Sequence, residues 1–192
     1  TYGDWSSDVC SSDLYKTYDD PIAIKLAKFM QSRREEISRL IERTEQLAAE
    51  LRSKPVELVL CHADLHGGNV LIGNNGEFYV VDWDGPMLSQ KEHDLMFIGA
   101  GLFPNDSIQE WNAQQEEVPF YEGYGETKIN LLALAYYRYD RILNDFAAYC
   151  EALLLTEEGG ADREPSYETF VRNFEPGNAI EIADKTYTLF KN

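Results

Sequence analysis

The chain has 192 residues, 44% of them hydrophobic, enough for one folded domain with a sizeable core and too apolar for a disordered chain. Its formal net charge of −17 is uneven: residues 1–55 carry 9 Lys/Arg against 10 Asp/Glu, and residues 56–192 carry 8 against 24. Such a surface repels nucleic acid and anionic membranes and attracts cations, so no nucleic-acid or membrane partner is expected. The three cysteines, Cys10, Cys61 and Cys150, are odd in number and widely spaced. They form neither a disulfide framework nor a zinc-ligand spacing, and a reducing cytoplasm is the expected setting. No apolar run reaches the roughly 18 residues that cross a bilayer, and the first residues lack a basic start with an apolar signal core.

Residues 1–14 contain Ser-Ser-Asp twice and fit no helical or strand period. They are read as a frayed or non-native segment outside the fold, which leaves residues 15–192 as the folded lobe. Asp20-Pro21 is a helix start, with Asp as N-cap and Pro in the first turn. Leu26, Met30, Ile37, Leu40, Ile41, Leu47, Ala48 and Leu51 follow at helical spacing, and Arg33-Arg34-Glu35-Glu36 interrupts the stripe. One long helix or two remain open, closed by Pro55. The runs 56–61, 69–72 and 78–81 predict three short strands, with Asn74-Asn75-Gly76 as the turn between the last two. A helix is expected to open near Gln90. Beyond Pro119 the pattern is helical over 129–155, 167–174 and 178–190, broken at Gly159-Gly160 and Pro176-Gly177. The fold class is therefore α+β, mainly helical, with a small β-hairpin beside one polar loop.

That loop carries the chemistry. His62-Ala63-Asp64-Leu65-His66-Gly67-Gly68-Asn69 has the pattern H-x-D-x-x-x-x-N, and Asp82 ends the apolar run after the hairpin. Asp64 lies five residues before Asn69 and eighteen before Asp82. Phosphoryl transfer from a nucleotide needs a carboxylate that orients a hydroxyl and takes its proton. It also needs hard oxygen donors that hold magnesium on the phosphates. Asp64 is the candidate base, and Asn69 and Asp82 are the candidate magnesium ligands. Each alone also suits a loop cap, a turn residue or a strand-end cap; the shared spacing favours the catalytic set.

Alternative roles stand beside these. His62, Asp64 and His66 form an H-x-D-x-H cluster that resembles a zinc set, although no further ligand follows at a convincing spacing. His62 otherwise holds the loop by hydrogen bonds, and His66 lies near phosphate or substrate. Gly67-Gly68 lets the loop turn tightly. Asp94, after His93, is expected as a buried polar anchor that braces the loop. Between Leu102 and Thr127, six acids (Asp106, Glu110, Glu116, Glu117, Glu122, Glu126) alternate with Trp111, Phe120, Tyr121 and Tyr124 and no Lys or Arg. This composition suits a cationic ring-shaped ligand, or equally a solvated acidic helix face over core aromatics.

The segments LCHADLHGGNVLI (60–72) and YVVDWDGPMLSQKEHDLMFIG (79–99) resemble the catalytic loop and the metal-binding segment of the aminoglycoside phosphotransferase family, a small-molecule branch of the protein-kinase-like fold. The likeness runs from about residue 17 to the end. It is nearest to the spectinomycin-type members in its D-W-D segment, the E-x-D-L-M-F after it, Tyr136-Tyr137-Arg138-Tyr139, and the tail at 173–178. The resemblance implies Asp64 as catalytic base, Asn69 and Asp82 as Mg2+ ligands, and ATP or GTP as phosphoryl donor, with His66 beside the nucleotide. It implies O-phosphorylation of an aminoglycoside-like antibiotic such as spectinomycin, a cationic small molecule, and hence resistance. It also implies a chain that is the C-terminal lobe only. The family's strand-rich N-terminal nucleotide lobe, with its phosphate-contacting Lys, has no counterpart here, so this fragment alone is expected to bind ATP poorly and to be inactive. Two alternatives are another small-molecule kinase of the same fold (for a macrolide, a sugar, choline or homoserine) and a truncated, non-catalytic binding module.

Overall fold

The computed structural model describes residues 16–99, 113–156 and 158–192. The segment 1–14, with Cys10, and the acidic stretch up to residue 112, with Asp106, Glu110 and Trp111, lie outside the described residues. Helix α1 spans Pro21–Ser32; Asp20 caps it, its Oδ2 accepting from Ala23 N at 2.8 Å. Ala23, Leu26, Ala27 and Met30 form its buried stripe, as the sequence spacing requires. The open choice between one helix and two resolves as two. Arg33 leaves helical geometry (φ −104°, ψ 11°), and α2 runs from Arg34 to Arg52.

The chain divides into two compact units. The first joins the described part of Thr1–Gln46 to Tyr139–Glu181. Its core holds Leu26, Met30, Leu40, Tyr139, Phe146, Cys150, Leu153 and Phe170, all buried. Phe29, Phe146, Phe170 and Phe174 pack ring against ring, with centroids 4.7 to 6.0 Å apart. Tyr139 is fully buried, and its hydroxyl accepts from Arg43 Nη1 at 3.0 Å. Helix α5 (Leu131–Cys150) ends in a widened π turn over Glu151–Leu155. Carbonyls at a helix end lack intrahelical partners, and here a buried arginine supplies them. Arg163, the first residue of α6 (Arg163–Arg172), donates to the carbonyls of Ala152, Leu153, Thr156 and Glu158 at 2.9 to 3.0 Å. Its Nη2 also reaches Asp20 Oδ2 at 2.7 Å, so one guanidinium closes one helix and secures the cap of another.

The second unit comprises Leu47–Arg138 and Ile182–Asn192. Strands β1 (Val59–Cys61), β2 (Val70–Ile72), β3 (Phe78–Val80) and β4 (Met87–Ser89) form two antiparallel pairs. The β2–β3 hairpin matches the expectation, with Leu71 opposite Tyr79. Strand β1 pairs with β4, Leu60 opposite Leu88, and β4 was not foreseen. Helix α3 is a single turn, Glu92–Leu95. Helix α4 spans Ala113–Tyr124 with Pro119 inside it, which corrects the expected start of helical structure beyond Pro119. Helix α7 covers Ala179–Lys191. Arg138, largely buried, donates to Met96 O, Ile98 O and Thr186 Oγ1 at 2.6 to 3.0 Å. Gly99 (φ 72°) follows this anchor, and a side chain there would run into the Glu117 carboxylate.

The Arg163 hydrogen bond holds the Asp20 carboxyl below its ordinary value. A depressed carboxyl stabilises the fold above the unfolded pKa of about 3.9 and ceases to do so as pH falls through the lower folded value. Arg163→Met is therefore expected to lower unfolding stability at pH 7 by about 3 kcal/mol, the scale for breaking a buried pair and stranding its partners. The gap between parent and variant should narrow below about pH 4. Urea melts across that pH range test this; coincident midpoints at pH 7 would contradict it.

Candidate active site

Strand β1 delivers the chain into the polar loop, and one carboxylate fixes how the loop leaves it. Asp94, at the end of the α3 turn, accepts from His62 N on Oδ2 at 2.9 Å and from Ala63 N on Oδ1 at 2.8 Å. Ala63 sits at φ 73°, a left-handed conformation that disfavours any residue with a Cβ. Among the described residues only one other non-glycine residue has positive φ, and it is Asp82 at 67°. Both strained residues therefore belong to the motif segments, where strain is held by the surrounding bonds.

His62 connects the two segments. It is 3% exposed, and its Nε2–H donates to Val81 O at 2.8 Å. Its Nδ1 accepts from Asp64 N at 3.3 Å, a pairing that assigns the tautomer with the proton on Nε2. Trp83 packs edge-on against the imidazole at 4.6 Å. Val81 is tied from its other side as well: its N–H donates to Asn69 O at 2.9 Å, extending the hairpin register by one residue. Asp82 follows directly. Asn69 is buried, and its Nδ2 donates to Asp64 O at 2.9 Å. That bond fixes the amide orientation, so the oxygen is the atom of this amide that could meet a cation. The loop, the hairpin and the approach to Asp82 are thus joined by named bonds around Asp64.

His66 caps the short 3-10 turn Gly67–Asn69: its Nδ1 accepts from Gly68 N at 3.0 Å. The H-x-D-x-H zinc set is not assembled. His62 Nε2 is committed to Val81 O and His66 Nδ1 to Gly68 N, and among the described residues no group of three or more His, Cys, Asp or Glu side chains is placed to hold a metal. Cys61 is no ligand candidate either, since burial, aided by the Asp94 charge, pushes its thiol up to about 11. The donor set of Asn69 and Asp82 fits magnesium instead. Both offer hard oxygens, and magnesium is commonly held by one or two protein groups with phosphate oxygens and water completing the shell.

Asp94 occupies the bracing position that its sequence context suggested, though half-buried and not fully buried. The sequence reasoning missed its two neighbours. Glu92 is 4% exposed and accepts from Asn130 N at 2.9 Å, capping α5. His93 stacks on Tyr137 at 4.6 Å, and the Tyr137 hydroxyl lies 2.9 Å from Ser89 Oγ on β4. The three consecutive residues of the E-x-D pattern thus serve three different anchors. The acids of this stretch prove partly internal: Glu116 and Glu117 on α4 act on the buried charge of Arg138, while Glu122 on α4 and Glu126 beyond its end are exposed. Phe120, Tyr121 and Tyr124 form a ring cluster with centroids 5.1 to 6.3 Å apart.

The family model described as "Phosphotransferase enzyme family" (APH) matches residues 17–129. No curated protein matches the chain. Among solved structures, spectinomycin phosphotransferase APH(9)-Ia in complex with ADP and spectinomycin is similar with a TM-score of 0.79 at 38% identity, over 92% of this chain and 52% of that one. The AMP-bound complex of the same enzyme gives 0.73 at 39% identity, over 88% of this chain and 50% of that one. The described fold is therefore the kinase-like one of these enzymes, and the chain spans about half their length. On the family match and these similarities together, the chain belongs to the phosphotransferase enzyme family.

Proposed function

We propose that the chain is the C-terminal catalytic and substrate-binding lobe of an enzyme that transfers a phosphoryl group from ATP or GTP to a hydroxyl of a cationic, aminoglycoside-like antibiotic such as spectinomycin. The observation that carries this reading is the bonding of Asp64, Asn69 and the Val81–Asp82 step into one network through His62. In this reading the nucleotide is completed by a strand-rich lobe outside residues 15–192, and the reaction runs in the cytoplasm. Modification of the antibiotic hydroxyl would confer resistance.

Asp64 takes the part of the base. Its backbone is held from both ends, by His62 Nδ1 on its N–H and by Asn69 Nδ2 on its carbonyl, so the carboxylate projects from a fixed point. Holding a reacting group in place accounts for much of catalysis where the transition state is loose and the protein's task is positioning. Asp64 would orient the acceptor hydroxyl and take its proton as the oxygen–phosphorus bond forms. Asn69 Oδ1 and the Asp82 carboxylate would hold Mg2+. Bound there, magnesium supplies charge compensation for the phosphates. His66, on the same loop, would lie beside donor phosphate or acceptor.

The substrate class is supported by the spectinomycin bound to one solved relative and by the acidic excess of residues 56–192. Glu122, the exposed acid of α4 next to its aromatic cluster, suits a cationic ring. Nucleotide binding is supported by the apolar, exposed hairpin beside Asn69: Leu71, Ile72, Phe78 and Tyr79 are each more than half exposed.

Three measurements test the proposal. Calorimetry on the 192-residue chain should detect spectinomycin and little Mg–ATP; strong binding of Mg–ATP by this chain alone would refute the need for a second lobe. In the full-length protein, Asp64→Asn should lower kcat by more than about 100-fold, the scale of general-base catalysis, while leaving nucleotide binding intact. Turnover within tenfold of the parent would reject Asp64 as the base. Asp82→Ala should abolish Mg2+-dependent turnover in a protein that still melts cooperatively; surviving magnesium dependence at parental activity would reject that ligand.

A further inference from the structure

His66 is fixed more tightly than a cap needs. Its Nδ1 accepts from Gly68 N at 3.0 Å, which places the remaining ring proton on Nε2. Gly68 admits this ring position: a Cβ there would lie 2.7 Å from His66 Cε1 and 3.0 Å from Nδ1. Phe97 closes a further side, with ring centroids 5.9 Å apart. Held this way, the imidazole turns Nε2 towards Asp64, 3.7 Å from Oδ2. That distance is too long for a hydrogen bond, but a small rotation of the Asp64 side chain closes it.

We propose that His66 is a positioning residue for Asp64: its Nε2–H takes Asp64 Oδ2 when substrate binds and sets the rotation of the carboxylate that meets the acceptor hydroxyl. The inference rests on the function proposed above. It gives the ring two separable tasks, a cap through Nδ1 and a carboxylate contact through Nε2. Gly68 then matters because it lets one imidazole do both. The neighbouring backbone serves the same end, since His66 O accepts from Asn69 N at 2.9 Å and keeps the turn closed under the ring.

Two substitutions divide the tasks. Asn places an acceptor where Nδ1 stands and is a strong cap, but has no donor where Nε2 stands. Gln places its amide N–H near the Nε2 position and loses the cap. In the full-length protein, His66→Asn should keep the parental melting temperature and nucleotide KM while kcat falls roughly 10-fold, as expected for a misoriented reacting group. His66→Gln should melt lower yet recover kcat to within about 3-fold of the parent. Parental kcat in His66→Asn, or a loss confined to nucleotide KM, would overturn the proposal; the second result would make His66 a phosphate contact. Should the parent transfer no phosphoryl group at all, the functional reading fails by itself. The contact is then judged by long-range nitrogen–proton spectra of the imidazole. A protonated Nε2 whose resonance moves in Asp64→Asn supports it, and an unmoved resonance overturns it.

Discussion

The fork made by Asp94 on two successive backbone N–H groups is the constraint from which the rest of the site follows. A hydrogen bond to a charged acceptor contributes about 1.5–3 kcal/mol, and a non-glycine residue held in a sparsely populated backbone region costs about 1–3 kcal/mol. Two such bonds at 2.8 and 2.9 Å are therefore of the right size to hold Ala63 at φ 73°. An amide in place of the carboxylate offers a single acceptor oxygen and leaves one N–H without its partner. With the backbone held there, the His62 ring lies between Asp64 N and Val81 O. The second strained residue depends on the first, because the bonds on both sides of Val81 lead directly into Asp82.

The parts of this arrangement that were legible in the sequence are the local ones. Asp64, Asn69 and Asp82 are linked by a loop and one tight hairpin, and the Asn74-Asn75-Gly76 turn, with Gly76 at φ 84°, fixes the hairpin register. Residue spacing therefore translates into the bonds that join Asn69 to Asp64 and to Val81, the residue before Asp82. The pairing of β1 with β4 was not legible. It joins Leu60 to Leu88 across the whole motif, and strands of three residues are too short to show alternation. The α4 helix was hidden by Pro119, which removes one backbone donor and ordinarily breaks a helix. Contacts outweigh that cost here: the rings of Phe120, Tyr121 and Tyr124 cluster, and Glu117 lies against Gly99 and acts on the charge of Arg138. Nor does any residue pattern announce the backbone of Val81, whose part is played by its amide and carbonyl alone.

The E-x-D pattern shows how a short stretch can be spent on anchoring. Glu92 caps α5, His93 stacks on Tyr137, and Asp94 holds the loop. A helical turn sends three consecutive side chains in three directions within a short span. These roles constrain residue type as tightly as chemistry does, because each involves a charge or ring with a specific partner. Arg163 in the first unit makes the same point away from any motif. Four carbonyls and a carboxylate converge on it, and nothing in the local sequence marks it.

The rigidity of the site does not come from its sheets. Strands β1 to β4 leave Leu60, Leu71, Ile72, Phe78 and Leu88 largely exposed, so the two pairs bury little of the surface that would normally secure them. What immobilises them is the helical layer beside them. Ser89 is bound to Tyr137, the turn after Leu95 is clamped by Arg138 at Met96 O and Ile98 O, and Cys61 is buried with its thiol directed at Gln90 O. The strands then act as outriggers on either side of the polar loop, while the buried polar contacts of α3 and α5 hold them in place. The apolar strand face stays open, and the bonds that hold the polar loop come from the buried His62 and the half-buried Asp94.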